Sequence, residues 1–279
     1  MQNSAYSVLI PARNEAVYIA ATLRSLLLQT LPPSYVLVIS DGSTDDTINE
    51  INEFSLSHGT KLKIELIERQ DRGFSAVGTP YLTETYNDGF KILEKRDEPF
   101  FMILGADSVL ERRYSEKLLI EMNRNPNLAA TSGICQGESI SKRHIRGTGR
   151  LIRTSFFRKL QFRFPFAYGW EDSIPYIAKA AGYDIYYTSD AQIKLLRATG
   201  SSAKNYLFWG MGMRSLGYTY LIAIGRGLKH IIKGNLKGGI NLIAGYFKEN
   251  SHLYPQVVRD YVKADSQFRV KSYLMKSLA

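Results

Sequence analysis

Cysteine is almost absent from this 279-residue chain: Cys135 is the only one. A single cysteine excludes an intrachain disulfide and a cysteine-based zinc cluster, and a reducing compartment is the simplest fit. Long apolar runs are missing as well, since no stretch approaches the roughly 18 residues expected of a membrane-spanning helix. The opening Met-Gln-Asn-Ser-Ala-Tyr has no basic segment leading into a long apolar one, so a cleaved secretion signal is not expected. Internal repeats and low-complexity tracts are absent. Acidic residues are missing from two long stretches, 139–170 and 191–248.

What is present is enough apolar residue, 44% of the chain, to build one large core or a core with an appendage. The net charge of +10 is unevenly placed. Residues 1–138 hold 13 Lys/Arg against 19 Asp/Glu, residues 139–195 hold 10 against 4, and residues 196–279 hold 13 against 3. A gradient of that kind marks a surface that meets phosphate in a nucleic acid, an anionic lipid or a substrate, or else a solvated basic tail.

The first half alternates short apolar runs with amphipathic stretches, which predicts βαβ units and a mainly parallel sheet. Tyr-Ser-Val-Leu-Ile-Pro from Tyr6 reads as a first strand ended by Pro11, and residues 16–28 place Ile19, Leu23, Leu26 and Leu27 at helical spacing. Residues 35–40 read as the second strand, followed by turn formers Gly42 and Ser43 and a helix containing Ile48 and Ile51. Residues 61–68, 100–104 and 128–134 read as three more strands, and residues 173–189 as a helix and a strand. Residues 218–237 predict a basic amphipathic helix, with Leu221, Ile224, Leu228 and Ile231 on one face and Arg226, Lys229, Lys233 and Lys237 on the other. Glycines 225, 227 and 234 weaken its continuity.

Open α/β sheets bind ligands at the carboxyl ends of their strands. Three predicted strand ends carry distinctive residues: Pro-Ala-Arg-Asn-Glu at 11–15, Asp-Gly-Ser-Thr-Asp-Asp-Thr at 41–47, and Gly-Ala-Asp at 105–107. Each alone is ambiguous, because Asp41 suits a turn cap, Arg13 and Glu15 an ordinary surface pair, and Asp107 a strand cap.

In this order and spacing, the sequence resembles the family 2 glycosyltransferases of the GT-A fold. Pro11 to Glu15 match the family's P-x-x-N-E stretch, Asp41 to Thr47 its D-G-S-x-D-x-T motif, and Glu171-Asp172 its acidic pair before a helix. The resemblance covers roughly residues 5–195. It implies a Rossmann-like α/β catalytic domain over 1–195; charge and periodicity give the basic helical region expected over 196–279. It also implies that Pro11, Ala12, Arg13, Glu15 and Asp41 border the nucleotide of a sugar-nucleotide donor, with Arg72 nearby unless it is a plain surface arginine.

The resemblance further implies Mg²⁺ or Mn²⁺ at the tip of the fourth strand, where members usually carry D-x-D. A hard cation there neutralises the diphosphate leaving group. Here Gly105 replaces the first Asp, leaving Asp107 as the metal ligand. Where many members carry a further His ligand, this chain has Leu196 and Arg197. An arginine stabilises a leaving diphosphate directly through paired hydrogen bonds.

Asp172 is the implied general base for the acceptor hydroxyl, with inversion at the anomeric carbon; a Glu-Asp pair also suits a helix N-terminus for dipole reasons alone. Glu171 and Trp170 are expected at the acceptor, although Trp170 also fits a core position. The acid-free stretch 139–170 holds Lys142, Arg143, Arg146, Arg150, Arg153, Arg158, Lys159 and Arg163. These cations, Arg150 and Arg153 among them, are expected to meet an acceptor such as a polyprenyl phosphate or a glycan precursor, or else to form a solvated face. The C-terminal cations interleave with Tyr206, Phe208, Trp209, Tyr218, Tyr220, Tyr246 and Phe247, which suits the cytoplasmic face of an anionic membrane better than nucleic acid. Helix packing against the catalytic domain is the other explanation. A sugar-1-phosphate nucleotidyltransferase or an inactive binding module are the alternative functions.

Overall fold

Two largely apolar strands pair side by side in the sheet, Tyr6–Ala12 (β1) and Tyr35–Asp41 (β2). In the computed structural model, which describes residues 4–137, 145–197, 203–248 and 253–278, both are buried almost throughout. Continuous apolar runs of this kind belong to strands covered on both faces. Helix α1 (Ile19–Leu27) follows β1 and buries Ile19, Leu23 and Leu26, spaced by four and three residues. Helix α2 (Thr47–His58) leads to β3 (Ile64–Arg69), whose alternating exposure fits the sheet edge it occupies.

The remaining elements are α3 (Leu82–Leu93), β4 (Phe100–Ile103), β5 (Ser108–Leu110), α4 (Tyr114–Arg124), β6 (Leu128–Cys135), β7 (Arg150–Arg153), α5 (Thr154–Arg158), α6 (Trp170–Ala180), β8 (Asp184–Leu195), α7 (Ala203–Leu216), α8 (Tyr220–Ile232), α9 (Leu236–Phe247) and α10 (Gln256–Leu278). The strand order is β3-β2-β1-β4-β7-β6-β8-β5. Strands β1 to β4 pair in parallel, and β7 enters antiparallel between β4 and β6. The period-two alternation of β4 divides the core. Phe100 and Met102 join Val8, Ile10, Leu23 and Leu118 on one face. Phe101 meets the rings of Phe90, Phe157 and Phe162 on the other.

The described residues fall into two units. The first takes Met1–Ser75, Glu84–Phe164 and Tyr183–Ala198, and the second Ala76–Thr83, Pro165–Gly182 and Thr199–Ala279. They are interleaved in sequence, unlike a single cut after residue 195: α6 belongs with the C-terminal helices. The second unit has its own core, in which Met213, Leu216, Tyr218, Leu242, Val258 and Val262 pack together. The helix expected over 218–237 is two helices. It stops at Ile232, and Gly234 turns the chain at φ +85° before α9 begins. Among the described residues no helix is long and apolar enough to cross a membrane.

Candidate active site

The carboxyl ends of β1 and β2 are joined by a set of hydrogen bonds drawn from both motifs. The Asn14 amide donates to Ser43 Oγ, the Glu15 amide to Thr47 Oγ1 at 2.7 Å, and the Ala16 amide to Asp45 Oδ2. In return the Thr44 amide donates to Asn14 Oδ1 at 2.8 Å. Asn14 accordingly adopts φ +55°, a left-handed conformation that asparagine tolerates better than most residues. Burial alone would raise the Asp45 carboxyl, but donation from the Thr47 hydroxyl and the Thr47 and Ala16 amides holds it below its ordinary range. Asn14, Ser43, Asp45 and Thr47 therefore build the loops rather than face a ligand. Gly42 turns between them at φ +69°, and a Cβ there would lie 2.3 Å from Asp71 Cα.

These loops position three guanidinium groups. Arg13 donates to the carbonyls of Asp41 and Gly42 and to Asp71 Oδ1 at 2.7 Å. Asp71, absent from the sequence expectations, lies just beyond β3; the Gly73 amide and then Arg13 hold its carboxyl below the usual range. Arg72 donates to Asp41 Oδ1 at 2.8 Å and to Glu84 Oε2 at 3.2 Å, and Arg69 lies 3.7 Å from the same Asp41 oxygen. Asp41 is 2% exposed, and its Oδ1 anchors these arginines. Pro11 and Ala12 end β1 opposite Ile39 and Ser40.

The tip of β4 brings Asp107 to the same sheet edge. Antiparallel pairing of Ser108 with Leu195 and donation from the Leu196 amide to the Asp107 carbonyl place Arg197 beside it. One Arg197 nitrogen, Nη2, lies 2.7 Å from Glu15 Oε1 and 3.2 Å from Asp107 Oδ2. Burial raises the Glu15 carboxyl above its ordinary value despite this arginine, and Glu15 Oε2 is buried without a hydrogen-bond partner. Arg197 is 51% exposed, against 14–20% for Arg13, Arg69 and Arg72, so it is the guanidinium of this edge with most freedom to turn.

The same edge explains the missing half of D-x-D. Thr148 Oγ1 accepts from the Gly105 amide at 2.9 Å and lies 2.8 Å from Ser108 Oγ. A Cβ on Gly105 would lie 3.0 to 3.3 Å from Ser108 Oγ, Asp107 Oδ1 and Thr148 Oγ1, so two hydroxyls crowd the place of the first carboxylate. Among the described residues no three His, Cys, Asp or Glu side chains cluster as a metal cage. The residues fit a cation held mainly by a donor's diphosphate, with Asp107 as its protein ligand, because Mg²⁺ is usually bound by one or two carboxylates plus substrate phosphates.

Asp172 and Glu171 occupy the first turn of α6 in the second unit. Gly169 caps that helix at φ +75°, where a Cβ would press on Gly212 and Leu216. Pro175 has no N–H to give the Glu171 carbonyl, so the turn bearing the acidic pair is more loosely tied than an ordinary helix start. Trp170 is only 7% exposed and packs in the interior instead of presenting a stacking face.

The expected acceptor cations are corrected. Arg150 is 1% exposed and donates to the Arg146 and Ile145 carbonyls. Arg153 donates to the Leu128, Met122 and Asn125 carbonyls and covers the Phe100 ring. Arg158 caps the carbonyls of Glu94 and Arg96, and Lys159 meets the Tyr183 hydroxyl. Arg150, Arg153 and Arg158 satisfy backbone carbonyls in place of acids, so a charge count mistakes them for an anion surface. Lys142 and Arg143 lie outside the described residues.

The sequence pattern of glycosyl transferase family 2 matches residues 7–177, more than half of the chain. The poly-β-1,6-N-acetyl-D-glucosamine synthase of Staphylococcus epidermidis is 28% identical over 127 residues, which are 46% of this chain. The match covers only 27% of that synthase, so the chain corresponds to about a quarter of the relative's length. Among solved structures, S. aureus TarS 1–349 in complex with UDP superposes with a TM-score of 0.55 at 14% identity, covering 86% of this chain and 90% of that one. The mannosyltransferase PcManGT from Pyrobaculum calidifontis, in complex with GDP-Man and Mn²⁺, gives 0.60 at 15% identity, over 96% and 75%. These likenesses establish the GT-A fold, and with the match over both strand-end motifs the chain belongs to glycosyl transferase family 2.

Proposed function

We propose that the protein moves a sugar from a nucleotide-diphosphate donor at the β1, β2 and β4 strand tips to an acceptor hydroxyl, with inversion at the anomeric carbon. The observation that carries this reading is the convergence of Arg13, Arg72, Asp107 and Arg197 on one sheet edge, with each arginine tied to a carboxylate. The TarS and PcManGT structures, which hold UDP, UDP-GlcNAc or GDP-Man, support a donor of this class.

Asp41 and Asp71 hold Arg72 and Arg13 in place before the donor arrives, which lowers the ordering cost of binding. Arg197 then exchanges its carboxylate partners for the departing diphosphate, donating charge-assisted hydrogen bonds as negative charge builds on the leaving oxygen. Mg²⁺ or Mn²⁺ bound to the diphosphate, with Asp107 as ligand, would supply further positive charge there. Asp172 accepts the proton of the acceptor hydroxyl, and attack from the face opposite the nucleotide inverts the centre.

The acceptor is a polyprenyl-phosphate-linked or glycan hydroxyl. With Arg150 and Arg153 turned inward, the charge argument for a phosphate on it weakens, and the glycan side of that pair gains. Asp172→Asn is expected to lower turnover about 10²- to 10⁴-fold while leaving donor affinity near normal. Retained turnover, measured as nucleoside diphosphate release with an acceptor present, would remove Asp172 from the base role.

A further inference from the structure

We propose that α8 and α9 seat the protein on an anionic lipid surface, lying in the plane of the headgroups. The proposal goes beyond the transfer reaction and does not depend on it. A helix on a soluble unit ordinarily buries its large apolar side chains and exposes its polar ones. In both of these helices several large apolar side chains instead face outward, while small residues are buried. In α8 the buried residues are Ala223 and Gly227, whereas Leu221, Leu228 and Ile232, at i, i+7 and i+11, form an outward stripe. In α9 Gly238, Gly239, Leu242 and Gly245 are buried, whereas Leu236, Ile240 and Phe247, at i, i+4 and i+11, face out. Exposure along the two stripes runs from 49% at Leu228 to 84% at Ile232.

The inversion has a packing cause. A Cβ on Gly227 would lie 2.4 Å from Ile243 Cγ1, and one on Gly239 would lie 2.4 Å from the Gly227 carbonyl oxygen. Against α7, a Cβ on Gly245 would lie 2.0 Å from the Leu207 oxygen. The glycines at these contacts make room only for Ile231 and Ile243 of the facing helix, and Leu221, Leu228, Ile232, Leu236 and Ile240 lie outside the contacts. This overturns the single apolar face expected from sequence, since Ile224 and Ile231 are partly buried. Most of the aromatics expected at a membrane are also interior or half-buried, leaving Tyr220 and Phe247 as the exposed ones on α8 and α9.

Charge selects the occupant. Lys229, Lys233, Lys237 and Lys248 are exposed beside the stripes, and residues 191–248 contain no acid. A second copy docking symmetrically would set the same lysines against each other with no carboxylate on either helix to meet them. An anionic bilayer takes the apolar stripes at its acyl boundary and the ammonium groups at its headgroups. Helices of 13 and 12 residues are roughly 20 Å long, too short for a hydrocarbon core of about 30 Å, so they lie on the bilayer and do not span it.

Co-sedimentation with phosphatidylcholine vesicles, with and without phosphatidylglycerol, tests the proposal. Wild type is expected in the pellet with the anionic vesicles and largely in the supernatant with neutral ones. Combined Leu228→Ser, Ile232→Ser and Ile240→Ser should lower the partition coefficient at least about tenfold. Combined Lys229→Glu, Lys233→Glu and Lys237→Glu should lower it on the order of a hundredfold. All substituted side chains are exposed, so thermal midpoints and nucleoside diphosphate release in vesicle-free solution should stay at the wild-type level. Wild type that stays in the supernatant with anionic vesicles overturns the proposal, as does either variant binding like wild type. A wild-type dimer by analytical ultracentrifugation that the serine variant converts to monomer would assign the stripes to a second copy and overturn it equally.

Discussion

Arg197 and Arg150 are the same residue type within 50 positions of each other, and they do opposite work. Arg197 is half exposed at a sheet edge and bonds two carboxylates, partners it can trade for a phosphate. Arg150 is sealed in the sheet and bonds the backbone carbonyls of Arg146 and Ile145. A local excess of positive charge therefore does not locate an anion site. The nature and mobility of each cation's partners do, and by that measure the strand tips support the proposed donor site while Arg150 and Arg153 give no support to an acceptor phosphate in the basic stretch 139–170.

The largest effect that would break this contrast is expected at Asp41, whose side chain is nearly sealed and holds Arg72 and Arg69. Removing one member of a buried ion pair costs about 3–5 kcal/mol. Asp41→Ala should show that loss in urea unfolding and lose donor affinity together with it. Arg150→Met should cost on the order of 3 kcal/mol of stability, because its bonds to carbonyls are lost in the interior. Its surviving folded fraction should keep the wild-type KM for donor and acceptor; a raised acceptor KM without loss of stability would return Arg150 to the acceptor site.

Arg197→Ala should do the converse. Loss of charge-assisted hydrogen bonds worth about 1.5–3 kcal/mol predicts a fall in kcat/KM of roughly 10- to 100-fold, with little change in stability because the side chain is half exposed. The smallest effect concerns Glu15, whose carboxyl is raised above its ordinary value chiefly by burial. A raised folded-state value makes this group's contribution complete below the ordinary glutamate range and lost as pH climbs through the raised value. Glu15→Gln abolishes that loss and keeps an oxygen for Arg197. The melting temperature of the variant should therefore gain on wild type as pH rises through that window, and parallel profiles would show that burial does not perturb Glu15.

The contrast also shows what the sequence made legible. Strands β1 to β4 and the two loops that stitch Asn14 and Glu15 to Ser43, Asp45 and Thr47 are local features, with apolar runs ending in turn residues. Strand β5 is three residues long and exists through its pairing with β8, some 85 positions away, so no local pattern announces it. Strand β7 reads Arg-Leu-Ile-Arg, and its arginines look solvent-facing until the carbonyls of Met122, Asn125, Leu128, Ile145 and Arg146 are brought around them. Gly105 and Arg197 stood out in the sequence as departures from a family pattern. That Arg197 bonds both Glu15 and Asp107, and that Thr148 fills the place beside Gly105, required the fold. In α8 and α9 helical periodicity identified apolar faces, but only glycine-level packing decides which face turns inward.

The most direct test is calorimetric titration of wild type and Arg72→Ala with UDP, GDP and dTDP, each with and without Mn²⁺. Arg72 is held by Asp41 at the strand tips and is unrelated to the basic stretch 139–170. The expected result is that wild type binds one of these nucleotides and that Arg72→Ala, still folded by its melting curve, weakens binding by about 10-fold or more. Unchanged affinity in the variant, or no binding of any of the three by wild type, would contradict a donor site at these strand tips.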